Sequence, residues 1–303
     1  MEIETKRLPA GKPWMYHLVA IFCVIIWGTT FVSTKILLNH GLTPTAIFFY
    51  RFLIAYTVIF FFSPKRLWAG NIKDEALFLC LGLTGGSWYY LTENTALEYT
   101  VISNVALIVC TAPLLTAFLS HWFVRGERLR KPVVYGSLLA LLGVAFVIFN
   151  GHVILKTNPL GDLLSISAAL LWAIYTIVLK RLDNRYSTLF ITRKTFFYGL
   201  LSILPSLYFA PLETDTDVLF QPEVIGNLLF LGLLASMLCY ALWNRTIYYL
   251  GAVRTSNYIY FNPIVALITS AIVIQETITP MALLGAVMVL AGVYWAGKRS
   301  IKI

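Results

Sequence analysis

Charge is scarce in this chain. Of 303 residues only 12% are charged, against 59% hydrophobic, and the mean hydropathy is +0.78. A soluble domain carries about 25% charged and about 45–50% apolar residues, so a soluble globular protein is excluded and a multi-pass membrane protein is expected. Histidine is almost as rare. The four histidines (His17, His40, His121, His152) lie near the ends of apolar runs, no H-E-x-x-H occurs, and Ser120 and His121 are neighbours that face different sides of a helix. No catalytic constellation, and hence no enzyme, is expected. The four cysteines (Cys23, Cys80, Cys110, Cys239) sit singly inside apolar runs without paired spacing, which argues against a disulfide framework, a zinc site or any other metal or cofactor. No polar stretch is long enough for a soluble domain. The net charge of +9 lies in short segments between apolar runs, a pattern set by membrane orientation and not by nucleic acid. The first apolar run is too long for a signal-peptide core, so it is expected to be retained.

A membrane span needs about 20 apolar residues. That length predicts ten helices, at about 14–38, 44–63, 75–97, 100–123, 131–150, 160–180, 188–210, 223–247, 252–274 and 279–297. Eighteen of the 23 lysines and arginines then fall on segments that share a side with the N-terminus, while Glu213, Asp215, Asp217 and Glu223 lie in the longest opposite loop. Both termini are therefore expected to be cytoplasmic.

One stretch occurs twice. Glu127 to Val144 and Glu276 to Val293 share five of 18 positions, Glu127/Glu276, Gly136/Gly285, Leu141/Leu290, Gly143/Gly292 and Val144/Val293, where composition alone gives about one or two. The seven-residue glycine spacing puts both glycines on one helical face, where two helices can approach closely. The repeat extends to Leu81-Gly82/Leu231-Gly232, Tyr90/Tyr240, Asn94/Asn244, Tyr99/Tyr249 and Pro113/Pro263, and to Trp27/Trp172 and Lys35/Lys180. The reading is an all-α membrane protein of two five-helix halves, 14–150 and 151–297, with short cytoplasmic tails at 1–13 and 298–303. Because five is odd, the halves must be inverted, which is the architecture that alternating access uses.

Counting 1.5 Å per residue from each span's start places a polar and aromatic belt near the midplane. Trp27, Thr30, Trp88, Tyr89, Trp172, Tyr175, Tyr240 and Asn262 are the substrate-binding candidates. The matched Pro113 and Pro263 each free a backbone carbonyl there. Such a belt suits a zwitterionic or aromatic small molecule better than a phosphate ester, whose charge needs several cations. Intramembrane charge is costly and rarely idle. The gating or coupling candidates are therefore Arg51 with Glu93 and Asn94 at the outer mouth, and Arg193 with Asn244 at the inner. Arg51 on a substrate carboxylate is the competing role. Asp74, Glu75, Glu127, Asp162 and Glu276 stand at helix starts, where a carboxylate favours the positive dipole end.

The run W-G-T-T-F-V-S-T-K at Trp27 to Lys35, Arg51 in Y-R-F-L-I-A, G-E-R-L from Gly126 and the paired G-x6-G-V helices resemble the EamA family of the drug/metabolite transporter superfamily. The resemblance spans nearly the whole chain as two units. It implies a multi-pass inner-membrane transporter, commonly an exporter of amino acids or related metabolites. The second half departs from the first at Trp172-Ala173-Ile174 and at Gln275-Glu276. The expectation is a secondary transporter with a small-molecule substrate, lipid around it, no nucleic-acid partner and a monomeric working unit. An exporter of drugs, nucleosides or vitamins, or a non-transporting sensor or partner protein, is the alternative.

Overall fold

The computed structural model describes residues 13–63, 67–100, 102–124, 129–149, 158–182, 185–209, 212, 216–273 and 278–297. Glu127, Glu276 and the two tails beyond 13–297 lie outside them. Among the described residues the regular structure is entirely helical. The main helical segments are α1 (Pro13–Asn39), α2 (Pro44–Phe62), α3 (72–99), α4 (102–123), α5 (Lys131–Phe149), α6 (Pro159–Leu182), α7 (Thr188–Phe209), α8 (Pro222–Leu250), α9 (252–273) and α10 (Pro280–Gly297). Seven helices, from α1, α2, α4, α5, α6, α8 and α10, are long and apolar enough to cross a membrane. The chain is thus a multi-pass membrane protein. The other three, α3, α7 and α9, carry more polar residues, including the buried Asp74, Arg193, Lys194 and Asn257.

Local chemistry starts and breaks these helices. Thr43 caps α2 by accepting from Ala46 N, with Pro44 in the first turn. Asn71 accepts from Asp74 N at the start of α3, and Asn158 accepts from Leu160 N and Gly161 N at the start of α6. The amides expected to attract the Asp74 and Asp162 carboxylates are therefore capped by neighbouring asparagines. Four helices are interrupted at mid-length. In α3 a π-turn fills Leu83–Ser87 with a kink at Gly86, and in α8 a π-helical stretch fills Phe230–Leu238. α4 breaks at Cys110-Thr111, just before Pro113, and α9 passes through a 3₁₀ turn at Asn257–Phe261, just before Pro263. Proline has no N–H to continue the ladder and crowds the turn before it. The breaks fall at repeat-equivalent places in the two halves.

The duplicated stretch forms one antiparallel helix pair. A Cβ on Gly136 would lie 2.6 Å from Gly292 O, and one on Gly143 would lie 2.5 Å from Gly285 O. Cβ atoms on Gly285 and Gly292 would meet Gly143 O and Gly136 O at 2.6 and 2.5 Å. α5 and α10 can touch backbone to backbone only because these four side chains are absent. The contacts are reciprocal under exchange of the halves, since Gly136 and Gly285 are repeat mates, as are Gly143 and Gly292.

Contacts across the bundle define two ends. At the near end the starts of α1, α3, α7 and α9 meet the ends of α2, α6 and α8. At the far end, His40 after α1 lies 3.5 Å from Glu223 at the start of α8, and Leu37, Leu42 and Ile47 form a buried cluster with Val224, Leu228 and Leu231.

Candidate functional site

A cavity of about 590 Å³ occupies the far half of the bundle, within the roughly 300–1,000 Å³ of small-molecule sites. Its walls are the far halves of α1, α2, α3, α4 and α9, from Thr30, Arg51, Tyr89, Ala112 and Pro263 outward, with Val147 and Ile148 of α5. Its floor is aromatic. Trp27 packs edge-on to Trp172 at 5.6 Å, Tyr89 lies 5.3 Å from Trp172, and Tyr240 lies 5.9 Å from Trp172. The repeat mates Trp27 and Trp172 are in ring contact, and the hydroxyls of the mates Tyr90 and Tyr240 stand 3.4 Å apart. The floor therefore marks the place where equivalent residues of the two halves meet.

Backbone breaks supply the polar groups that fix these rings. Tyr240 donates to Gly85 O at 2.8 Å, a carbonyl in the α3 π-turn, and Trp27 Nε1 donates to Ala235 O at 2.9 Å, in the α8 π-stretch. Irregular backbone inside a membrane protein survives where a partner or a cavity satisfies it. Thr30 returns its hydroxyl to Trp27 O. Trp172 Nε1 and Asn262 Oδ1 are buried without a protein partner among the described residues, and both residues line the cavity.

Two opposite charges face the same space. Arg51, 5% exposed, donates from Nε to Ser236 Oγ at 2.9 Å and lies 4.7 Å above the Tyr90 ring. Glu93 accepts from Tyr89 OH at 2.9 Å. Both line the cavity, yet among the described residues they make no ion pair with each other.

Of the thirteen residues singled out from sequence, the cavity gathers nine: Trp27, Thr30, Tyr89, Trp172, Tyr240, Asn262, Arg51, Glu93 and Asn94. Tyr175 lies just beneath, fully buried, donating to Asn244 Oδ1 at 2.7 Å, and Asn244 in turn donates to Thr192 Oγ1. Trp88 is 52% exposed and outside the cavity, because the π-turn shifts the register so that Tyr89 and Tyr90 face inward in its place. Arg193 is not brought to Asn244. It donates to Ser63 O and sits between the Phe60 and Phe190 rings. Arg51, Glu93 and Asn94 all line the cavity.

The near end is closed, and the residues that close it include several that sequence reading treated as helix-start or orientation charges. Tyr16 stacks on Tyr249 at 4.0 Å, and His17 Nδ1 lies 2.5 Å from Tyr258 OH. Asp74 pairs with Arg185 and accepts from Tyr186 OH. Glu75 pairs with Lys194 at 2.9 Å and accepts from Tyr198 OH and Ala69 N. Lys194 is 2% exposed and stands within 5.3 Å of the Trp68, Phe197 and Tyr198 rings. The signal available in the sequence was the adjacency of Asp74-Glu75 in one half and Arg193-Lys194 in the other; the pairing itself is tertiary.

Two similar helical halves enclosing a ligand-sized cavity under an apolar exterior define a membrane protein of the transporter class. Residues 14–149 and 159–297 each match the EamA-like transporter family, and the chain belongs to that family. Its relatives include an uncharacterized transporter of Archaeoglobus fulgidus, 27% identical over 92% of this chain and 96% of the relative. A probable amino-acid metabolite efflux pump of Salmonella typhimurium is 28% identical over 91% of this chain and 92% of the relative. A solved crystal structure superposes with a TM-score of 0.74 at 18% identity, covering 94% of this chain and 96% of that one, a likeness of fold.

Proposed function

We propose that the protein is a secondary transporter that works by alternating access and exports amino acids or related zwitterionic metabolites across the cytoplasmic (inner) membrane. In this reading all ten helices span the membrane as two inverted five-helix repeats, and the near end with both termini is cytoplasmic. The observation that carries the substrate reading is the unpaired Arg51 and Glu93 on one aromatic cavity. A guanidinium held at Nε by Ser236 keeps its terminal nitrogens for a carboxylate, and Glu93 offers its carboxylate to an ammonium group. A zwitterion neutralises both at once, where a solute of one charge leaves the other bare in an apolar site. The efflux-pump description of the Salmonella relative supports the same class.

Alternating access is favoured by the asymmetry of repeat mates. Asn94 lines the open cavity while Asn244 is buried in hydrogen bonds, and Tyr99 is exposed while Tyr249 is stacked into the closed end. Two near-equivalent halves in different conformations can exchange them.

The test is efflux from proteoliposomes loaded with mixed amino acids, nucleosides and vitamins, with and without a pH gradient. Saturable loss of amino acids, abolished by Arg51→Ala, is the expected result. Loss of nucleosides or vitamins alone would overturn the substrate class, and no loss from folded protein would overturn transport of all three.

A further inference from the structure

Three consecutive residues of α9 bury polar atoms that have no partner among the described residues: Thr255 Oγ1, Ser256 Oγ and Asn257 Oδ1. All three residues are at most 2% exposed, and they lie in the closed near half. Buried side-chain oxygens are nearly always satisfied, so three orphans in a row need an explanation. The repeat supplies one for Thr255 and Ser256. With Pro113 and Pro263 matched, Thr255 and Ser256 are the mates of Val105 and Ala106, while Tyr260 and Asn262 are the mates of Cys110 and Ala112. Those four mates line the open far cavity.

We propose that Thr255, Ser256 and Tyr260, with Asn262, form the wall of a second cavity, open to the near end, which exists when the two halves exchange conformations. Thr255, Ser256 and Tyr260 are then solvated and substrate-facing in that state and dry in this one, while Asn262, which already lines the far cavity, serves both. The inference rests on the alternating-access reading and adds to it a chemical difference between the two faces. The α4 stretch of the far-open wall offers Val105, Ala106, Cys110 and Ala112, whereas its α9 mate in the near-open wall offers two aliphatic hydroxyls, a phenol and an amide. On this one wall a solute meets more hydrogen-bonding groups from the near side than from the far side. This difference contributes to the half-saturation concentration on each side; the direction of net flux still follows the driving gradient.

Single cysteines in a cysteine-free chain test it, with a membrane-impermeant maleimide applied to one side of sealed vesicles and then to the other. Ala106→Cys and Val109→Cys, on the cavity and only partly buried, should label from the far side. Thr255→Cys and Ser256→Cys should label only from the near side, and about tenfold faster when Lys194→Ala or, if that variant folds poorly, Glu75→Gln releases the near-end ion pair. Labelling of 106 and 109 with none of 255 and 256 from either side, in either release variant, overturns the second cavity and leaves the transporter reading standing. Failure of all four to label removes the far cavity and both readings with it. Amino-acid efflux, measured on the same vesicles, reports the substrate class independently of either result.

Discussion

At the residue scale the cavity separates groups that meet the solute from groups that hold the scaffold, and substitution should reveal the difference. Arg51→Ala removes a cation facing the cavity and is expected to raise the half-saturation concentration by roughly 30-fold or more, since truncating one partner of a buried charged contact costs about 2–5 kcal/mol. Arg51→Lys keeps the charge but loses the planar fork, so it should recover only part of that loss; full recovery in a concentration-dependent efflux assay would count against a carboxylate clamp. Trp88→Leu should leave transport unchanged, because Trp88 projects outward from α3. Much of the cavity was legible from depth counting alone, as Trp27, Tyr89, Trp172 and Tyr240 show. Trp88 was included because a count of 1.5 Å per residue gives a residue's depth and not the face of the helix it takes. Lys194 was given no role because nothing in its neighbours announces Glu75, which lies 119 residues earlier.

At the element scale the α5–α10 pair and the four interrupted helices carry the architecture. The glycine motif was visible in sequence because a close helix approach demands small residues at fixed spacing, and the pairing of Gly143 with Gly285 follows from it. Gly143→Leu should lower the unfolding temperature in detergent, since the added atoms would enter space held by Gly285 O and the Val289 backbone; overpacking of this kind costs about 1–3 kcal/mol. An unchanged melting point would mean that the helices part easily. The matched prolines announced the breaks in α4 and α9, because proline disrupts a helix wherever it stands. The π-stretches in α3 and α8 were not announced, since Gly85-Gly86 has no counterpart at Ala235-Ser236.

At the scale of the whole molecule, one end is packed and the other is hollow. Glu75 and Lys194 join α3 of the first half to α7 of the second at the packed end, and breaking a buried pair by removing one partner costs about 3–5 kcal/mol. Lys194→Ala should therefore shift the population toward a near-open state, measurable as a longer spin-label distance across the near end and a shorter one across the far end. Equal distances in both proteins would mean that the ion pair serves stability alone.

The reciprocal glycine contacts have a further consequence. A surface that meets its own equivalent under a two-fold rotation is an isologous interface, the kind that joins two copies of a homodimer. Here the two copies are halves of one chain, and the contact described is made by helices on either side of the link between 149 and 159. Expressed as separate polypeptides, 1–149 and 159–303 should find each other through Gly136, Gly143, Gly285 and Gly292 and restore efflux, while Gly143→Leu in the first fragment should abolish their co-purification.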